Sequence, residues 1–293
     1  MDLKQLRYFV AIADEGSITG AARRLFLSQP PLSAQIKLLE KELGCVLFER
    51  GSRKIQLTEA GKLLYERAQS LLGLADGTCR ELRDLQSSGS GTLRLGVVSS
   101  VGWAVLDRGI RPFRAQYPNV AFELHEANTY QLLEQLHAGL LDLAVVRTPF
   151  SPGNFDCTYL EREPMLAAGI PELLPDGGGE ITLRELASLP LVMYNRWEKI
   201  ILDAFSQEGL TPRIVCRNED ARTTALWADS GLGVGMMPAS TEAFLKSPRT
   251  LRRRIASDRL ASSVCIAQNP NAYHPAAATE LIAFLSNSRP AGA

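Results

Sequence analysis

Apolar positions in the first third of the chain recur at helical spacing. Leu3, Leu6, Val10 and Ala13 step by three, four and three up to Gly16, which predicts an amphipathic first helix. Ser17 is the expected cap of a short helix over 18–26. After Leu27, the run Ser28-Gln29-Pro30-Pro31 opens a third helix. Proline is tolerated in a first helical turn, whose amides have no intrahelical partner, and the Ser28 hydroxyl is expected to accept one of those amides. Leu32, Ile36, Leu39 and Leu43 form the buried stripe, and Gly44 is the stop signal. A second face, made of Gln29, Pro30, Ser33, Ala34 and Lys37, is small, polar and free of acids. Two short extended runs, 47–50 and 54–57 around Gly51-Ser52, read as a hairpin.

Thr58-Glu59 then starts a long helix. Leu64, Ala68, Leu71, Ala75, Thr78, Leu82 and Leu85 alternate steps of four and three, a heptad seam that wants a partner helix. The partner is a helix of a second subunit or the chain's own body. Ser87-Ser88-Gly89-Ser90-Gly91 has linker composition. From Thr92 the pattern changes to apolar runs alternating with helices. Strands are expected at 93–98, 120–124, 141–146, 165–170, 191–194, 213–216, 232–237 and 264–268. Helices are expected near 129–138, 183–187, 198–207, 221–229 and 275–286. Such alternation indicates parallel α/β sheets. Leu160–Glu163 and Pro164 begin a crossover to a second α/β unit, and the last strand and helix return to the first.

Composition adds modest constraints. The chain has 293 residues, 45% hydrophobic and 22% charged, with 32 basic against 32 acidic residues, ordinary values for a globular protein of several domains. Between Arg23 and Lys62, eight Lys or Arg face four Glu, so the basic excess is local. The five cysteines (45, 79, 157, 216, 265) are scattered, which suggests reduced thiols of a cytoplasmic protein rather than a disulfide framework. No close cysteine pair suggests a thiol switch. The first 16 residues read neither as a signal peptide nor as a membrane span. His125, His137 and His274 share no metal-ligand spacing, and no nucleophile elbow occurs. We therefore expect no catalytic residue, metal or cofactor. Gly231-Leu-Gly233-Val-Gly235 lacks dinucleotide-fingerprint spacing and enters a strand, so it reads as close backbone packing.

A short helix anchored on one side and offering Gln, Ser and Lys on another suits a DNA major groove. The run Ala21-Ala22-x-x-Leu25-x-x-Ser28-Gln29-Pro30-x-Leu32-Ser33-x-x-Ile36-x-x-Leu39-Glu40-x-x-Leu43-Gly44-x-x-Leu47-Phe48-x-Arg50 resembles the DNA-binding signature of LysR-type transcriptional regulators. Ala34 departs from the pattern, standing where the family often carries Arg. The resemblance implies an N-terminal all-α winged helix-turn-helix over 1–58 and a dimerising linker helix and hinge over 59–91. It also implies a C-terminal α/β two-lobed periplasmic-binding-protein-like effector domain over 92–293, with lobe I about 92–162 and 269–293 and lobe II about 163–268. DNA contacts are expected from Arg24, Ser28, Gln29, Pro30, Pro31, Ser33 and Lys37, and from Arg50, Arg53 and Lys54 at the wing tip. Basic residues there would position the domain on the backbone or simply be solvated. Leu64, Ala68, Leu71, Ala75, Leu82 and Leu85 would mediate dimerisation. The partners implied are double-stranded promoter DNA, a small effector such as a carboxylate, a second copy in a homodimer or homotetramer, and RNA polymerase, with no membrane. The expected location is the bacterial cytoplasm, on the nucleoid.

Effector candidates follow from strand ends. Ser99 and Ser100 open a helix after a strand and act there as an anion site or as simple caps. Thr129 has the same two readings. Arg147 ends a strand, where it either receives a carboxylate bidentately or pairs with a neighbouring acid. Asn195, Arg196 and Trp197 follow a strand of the second unit and would close on ligand from the other side.

Overall fold

The computed structural model describes residues 1–49, 55–84, 91–175 and 177–287. They form two compact units, one from Met1–Ser88, Glu134–Asp142 and Asn271–Pro275, the other from Gly89–Leu133, Leu143–Pro270 and Ala276–Ala293.

The N-terminal unit begins with α1 (Leu3–Glu15), whose Asp2 and Gln5 form a capping box. In α2 (Ile18–Arg24), the Ser17 hydroxyl accepts the Gly20 amide at 2.8 Å. Next comes α3 (Gln29–Leu43), stopped by Gly44 at φ 67, a left-handed conformation that glycine adopts without strain. Leu6, Phe9 and Ile12 of α1 meet Ala21, Ala22, Leu32, Ile36 and Leu39 in one core. Leu43 departs from the expected stripe and is 39% exposed, because the helix ends there and its last turn overhangs the core. Strands β1 (Phe48–Glu49) and β2 (Gln56–Leu57) pair antiparallel. The wing tip, with Arg50, Arg53 and Lys54, lies outside the described residues.

The long helix α4 (Glu59–Asp84) closes this core with Ala68 and Leu72. Its seam is therefore phased differently from the sequence reading. Ala68 is fully buried and Leu64 packs partly on the core, whereas Leu63, Leu71, Leu74 and Leu82 are exposed. At about 100° per residue these four lie within one arc, next to the core-facing side. Ala75 is half-buried. Leu85 and the 87–90 linker lie outside the described residues.

The C-terminal unit opens with β3 (Gly91–Val97) and a 3-10 turn at Ser99–Val101. Helix α5 (Gly102–Val105) runs through a π turn (Leu106–Ile110) into α6 (Arg111–Gln116). Then come β4 (Val120–Glu126), α7 (Thr129–His137), β5 (Leu143–Arg147), β6 (Asp156–Glu163), β7 (Met165–Gly169), β8 (Glu180–Ile181) and α8 (Leu183–Ala187). The chain continues through β9 (Pro190–Tyr194), α9 (Asn195–Gln207), β10 (Arg213–Asn218), α10 (Ala221–Asp229), β11 (Val234–Pro238), β12 (Leu251–Ile255), β13 (Ser262–Gln268) and α11 (Ala276–Asn287).

Two sheets result. One has the order β4-β3-β5-β13-β6, the other β10-β9-β11-β7-β12-β8. Around β3 and β9 the neighbours are parallel, as expected of βαβ units. The strands beside the two crossings are antiparallel: β13 runs against β5 and β6, and β7 against β11 and β12. Residues 262–268 thus lie in the first sheet, so the return to lobe I precedes Ser262 rather than following Gln268. Gly233 approaches the Pro190 carbonyl so closely that a Cβ would stand 2.6 Å from its oxygen. This is the close packing expected of that glycine run. No helix among the described residues is long and apolar enough to cross a membrane.

Candidate nucleic-acid interface and effector cleft

On α3 the structure leaves Gln29, Pro30, Pro31, Ala34 and Lys37 exposed and Ser33 half-buried. Ser28 has the extended backbone of an N-cap, φ −81 and ψ 154, but its side chain makes no cap hydrogen bond. The reason is local. A capping hydroxyl accepts the amide of the second or third helical residue, and here these are Pro30 and Pro31, which have none. The expected cap is thus absent, and the exposed Ser28 hydroxyl is uncommitted to the helix. The Gln29 amide oxygen takes only a long bond, 3.4 Å, from the Thr19 hydroxyl. Arg24 is held toward α1 through Nη1, 3.0 Å from Asp14 and 3.6 Å from Glu15. Asp14 also accepts the Tyr65 hydroxyl at 2.5 Å. Burial and that bond raise the Tyr65 hydroxyl well above its ordinary range.

The turn before α3 holds a residue the sequence reading missed. Phe26 has φ 56 and is 96% exposed. A bulky residue in the left-handed region carries backbone strain.

In the C-terminal unit, most of the effector candidates gather at the carboxyl ends of β3, β5 and β9. Arg147 is fully buried. Its Nε donates to Ser100 Oγ at 3.1 Å, Nη1 to Ser262 Oγ at 2.8 Å and Nη2 to Ser240 Oγ at 2.8 Å. Nη1 also lies 2.6 Å from Glu163. Of the two roles open to Arg147, the geometry realises the ion pair with a neighbouring acid. Five N–H groups enclosed by three hydroxyls and a carboxylate leave no fork for a ligand. Ser100, 3% exposed, is likewise an internal partner, its carbonyl accepting the Ser240 hydroxyl at 2.8 Å.

Further contacts tie the sheets together. Arg196 donates to the Arg147 carbonyl at 2.6 Å and stacks over Tyr130, 5.9 Å from its ring centroid. Burial depresses the Arg196 guanidinium below its ordinary value. Burial pushes the Tyr194 hydroxyl above its ordinary value. Arg222 on α10 grips Asp220 through two nitrogens, at 3.1 and 2.7 Å, and reaches Glu126 at the end of β4 at 2.9 Å. Burial would raise the Asp220 carboxyl, but the Arg222 bonds outweigh it and hold it below the usual range. Tyr130, Tyr194, Glu163 and Arg222 were not singled out in the sequence; Tyr194 and Glu163 end strands and Tyr130 and Arg222 follow strands by four residues, which is the signal that could have found them.

Two candidates deserve separate placement. Trp197 does not face the cleft: it is 1% exposed in the core of the second lobe with Ile201, Ala204 and Phe205. Its position on the apolar face of α9 puts it there, while Asn195 at the helix start is exposed. Thr129 is fully buried and its Oγ1 has no hydrogen-bond partner; Arg196 Nε is also buried and unpartnered. A separate cavity of about 1120 Å³, bordered by Trp103, Arg108, Tyr159, Arg162 and Arg252, is lined by none of the expected effector residues. Among the described residues no three His, Cys, Asp or Glu side chains are grouped to hold a metal.

Comparison with known proteins finds two matching domains. Residues 3–62 match the bacterial regulatory helix-turn-helix protein, lysR family, and residues 86–289 match the LysR substrate binding domain. The chain is 32% identical over 250 residues to the transcriptional regulator BsdA of Bacillus subtilis, covering 82% of this chain and 84% of that one. It is 33% identical over 251 residues to the regulator BenM of Acinetobacter baylyi, covering 83% and 82%. The crystal structure of full-length CbnR complexed with target DNA is similar with TM-score 0.72 and 25% identity, covering 99% of this chain and 100% of that one. With both domains matched along nearly its whole length, the chain belongs to the LysR family of transcriptional regulators.

Proposed function

We propose that this regulator binds a small anionic metabolite, such as a carboxylate, where Ser99, Thr129 and Arg196 converge, and that the ligand changes how far the two lobes close. The buried, unpartnered Thr129 hydroxyl carries the reading. A buried hydroxyl without a partner costs roughly 1–3 kcal/mol, a cost a ligand oxygen would remove. Arg196, whose own Nε is buried and unpartnered and which stacks on the adjacent Tyr130, supplies charge. Arg147, Glu163, Ser240 and Ser262 form a polar tie behind this site, about which the lobes would pivot.

On this reading residues 1–58 bind DNA, 59–91 link and dimerise, and 92–293 sense the effector. Exposed Ser28, Gln29 and Lys37 face the major groove. Two copies joined through Leu63, Leu71, Leu74 and Leu82 of α4 present paired α3 helices to half-sites about one turn apart. Effector binding favours one lobe arrangement and so alters DNA spacing or bending. The protein works by binding, not catalysis, on nucleoid DNA in the cytoplasm.

The test is a thermal-shift screen of small carboxylates on the full-length protein, followed by Thr129→Val. A ligand that raises Tm in the wild type and loses at least tenfold affinity in the variant is expected. An unaltered response in Thr129→Val would overturn the site. A gel shift with the gene's own upstream DNA tests the output, and binding without sequence preference would sink it.

A further inference from the structure

The two cysteines of the first sheet, far apart in sequence, are neighbours in space. In the ladder between β6 and β13, Cys157 is opposite Ala267 and Tyr159 is opposite Cys265. Facing residues of an antiparallel pair share a face, and so do alternate residues of one strand. Cys157, Tyr159, Cys265 and Ala267 therefore lie on one side of the sheet, with the two cysteines on the diagonal. Cys265 is fully buried, and Cys157 is half-buried.

Three further features converge on this pair. A register shift between Ser263 and Cys265 marks a bulge beside it, which bends and over-twists the ladder. β6 is an edge strand, held on one side only. Lastly, β6 and β13 are the strands that carry the chain out of and back into the first lobe. Arg147 already clamps them at one end, through Glu163 on β6 and Ser262 on β13.

We propose that Cys157 and Cys265 form an oxidisable dithiol which, joined as a disulfide, staples the two interlobe strands of this regulator. The modification needs a two-electron oxidant, hydrogen peroxide. The half-buried Cys157 reacts first. Its sulfur attacks one peroxide oxygen, the O–O bond breaks, and a sulfenic acid and one water result. The Cys265 sulfur then attacks Cys157 Sγ, losing its proton, and the displaced hydroxide leaves as the second water. Two thiols and one peroxide thus give one disulfide and two waters. Diagonal neighbours sit roughly 7–8 Å apart at Cα, beyond the roughly 4.4–6.8 Å of disulfides, so β6 must move inward by about an ångström, which an edge strand can do without breaking a second ladder. Burial and the neighbouring Cys157 thiol raise the Cys265 thiol above its ordinary value. The inference is independent of the effector's identity.

The experiment treats the full-length protein with hydrogen peroxide, alkylates the remaining thiols after denaturation and maps the peptides. A Cys157–Cys265 linked peptide is expected in most molecules, with alkylatable thiols falling from the five of the sequence to three. The link is absent from Cys157→Ser and from Cys265→Ala, the second chosen because a serine hydroxyl would be buried. If exposed Cys79 is consumed while Cys157 and Cys265 both remain alkylatable, the pair is refuted. Hydrogen exchange of the β6 and β13 amides tests the staple: it should slow at least tenfold on oxidation and recover with dithiothreitol. Unchanged exchange in the linked protein would refute the mechanical role.

Discussion

The Arg147 guanidinium is completely enclosed, with Nη1 2.6 Å from Glu163 Oε1. Removing one member of a buried ion pair leaves an unmatched charge, typically costing about 3–5 kcal/mol. The three serine hydroxyls remain in Glu163→Ala and place it at the low end, about 3 kcal/mol. Glu163→Gln, which keeps an acceptor, should lose less. All three tryptophans, Trp103, Trp197 and Trp227, fall in the C-terminal unit, so their fluorescence during urea unfolding reads it selectively. Equal midpoints for wild type and Glu163→Ala would remove the pair from the account.

Ser28→Ala isolates the missing cap. Loss of a working N-cap costs about 0.5–2 kcal/mol. Here Pro30 and Pro31 offer no amide, so melting of the N-terminal unit should be unchanged to within about 0.5 kcal/mol. A drop of a full kcal/mol would show that the hydroxyl does cap.

Gln29→Ala tests base reading. The Gln29 side chain is tied down only by the long Thr19 bond, so it is available to a base edge. Specific affinity should fall by about 1–3 kcal/mol while binding to random DNA stays nearly constant. Equal losses on both DNAs would assign Gln29 to scaffolding.

The elements were legible where one pattern dominated. The α3 stripe and the strands β3, β5, β9 and β11 follow from periodicity. β12 was missed because Leu251-Arg-Arg-Arg-Ile255 reads as polar, yet Arg253 is 8% exposed and donates to the Pro175 and Glu180 carbonyls. An arginine that satisfies backbone groups inside a sheet has no sequence mark. Trp197 could have been placed correctly. With Ile201, Ala204 and Phe205 it recurs at four, seven and eight residues, a core face. Arg147 could not, since Ser240 reaches it only after one crossover and Ser262 only after two. The phase of α4 was also hidden, because one helix carries two adjacent apolar arcs and only the folded core claims one of them.

That division of α4 makes a prediction. Leu74 is 60% exposed, while Ala68 is fully buried against the N-terminal core. Leu74→Glu should weaken self-association at least tenfold in sedimentation, leaving the melting of the α1–α3 core intact. Ala68→Glu should instead unfold that core, since it buries an unpaired charge. Undiminished oligomer in Leu74→Glu would place the interface elsewhere.

Acid should weaken the second lobe through Asp229. Burial alone would raise this carboxyl. The Thr250 hydroxyl and the Lys246 and Ser247 amides outweigh burial and hold it below its ordinary value. The amide bonds are 2.6 and 3.0 Å long. They fix the segment after Phe244 to the end of α10. A carboxyl whose folded-state pKa is depressed contributes stability that is complete above its unfolded value, near 4, and lost as pH falls through the folded one. Wild type should therefore exceed Asp229→Asn by about 1–2 kcal/mol at pH 6. The gap should narrow steadily below about pH 4, because protonated aspartic acid and asparagine offer similar neutral acceptors. Tryptophan-monitored urea unfolding of both proteins from pH 6 to pH 3 measures it. A gap that stays constant over that range would show that the ionised carboxylate is not what holds the segment.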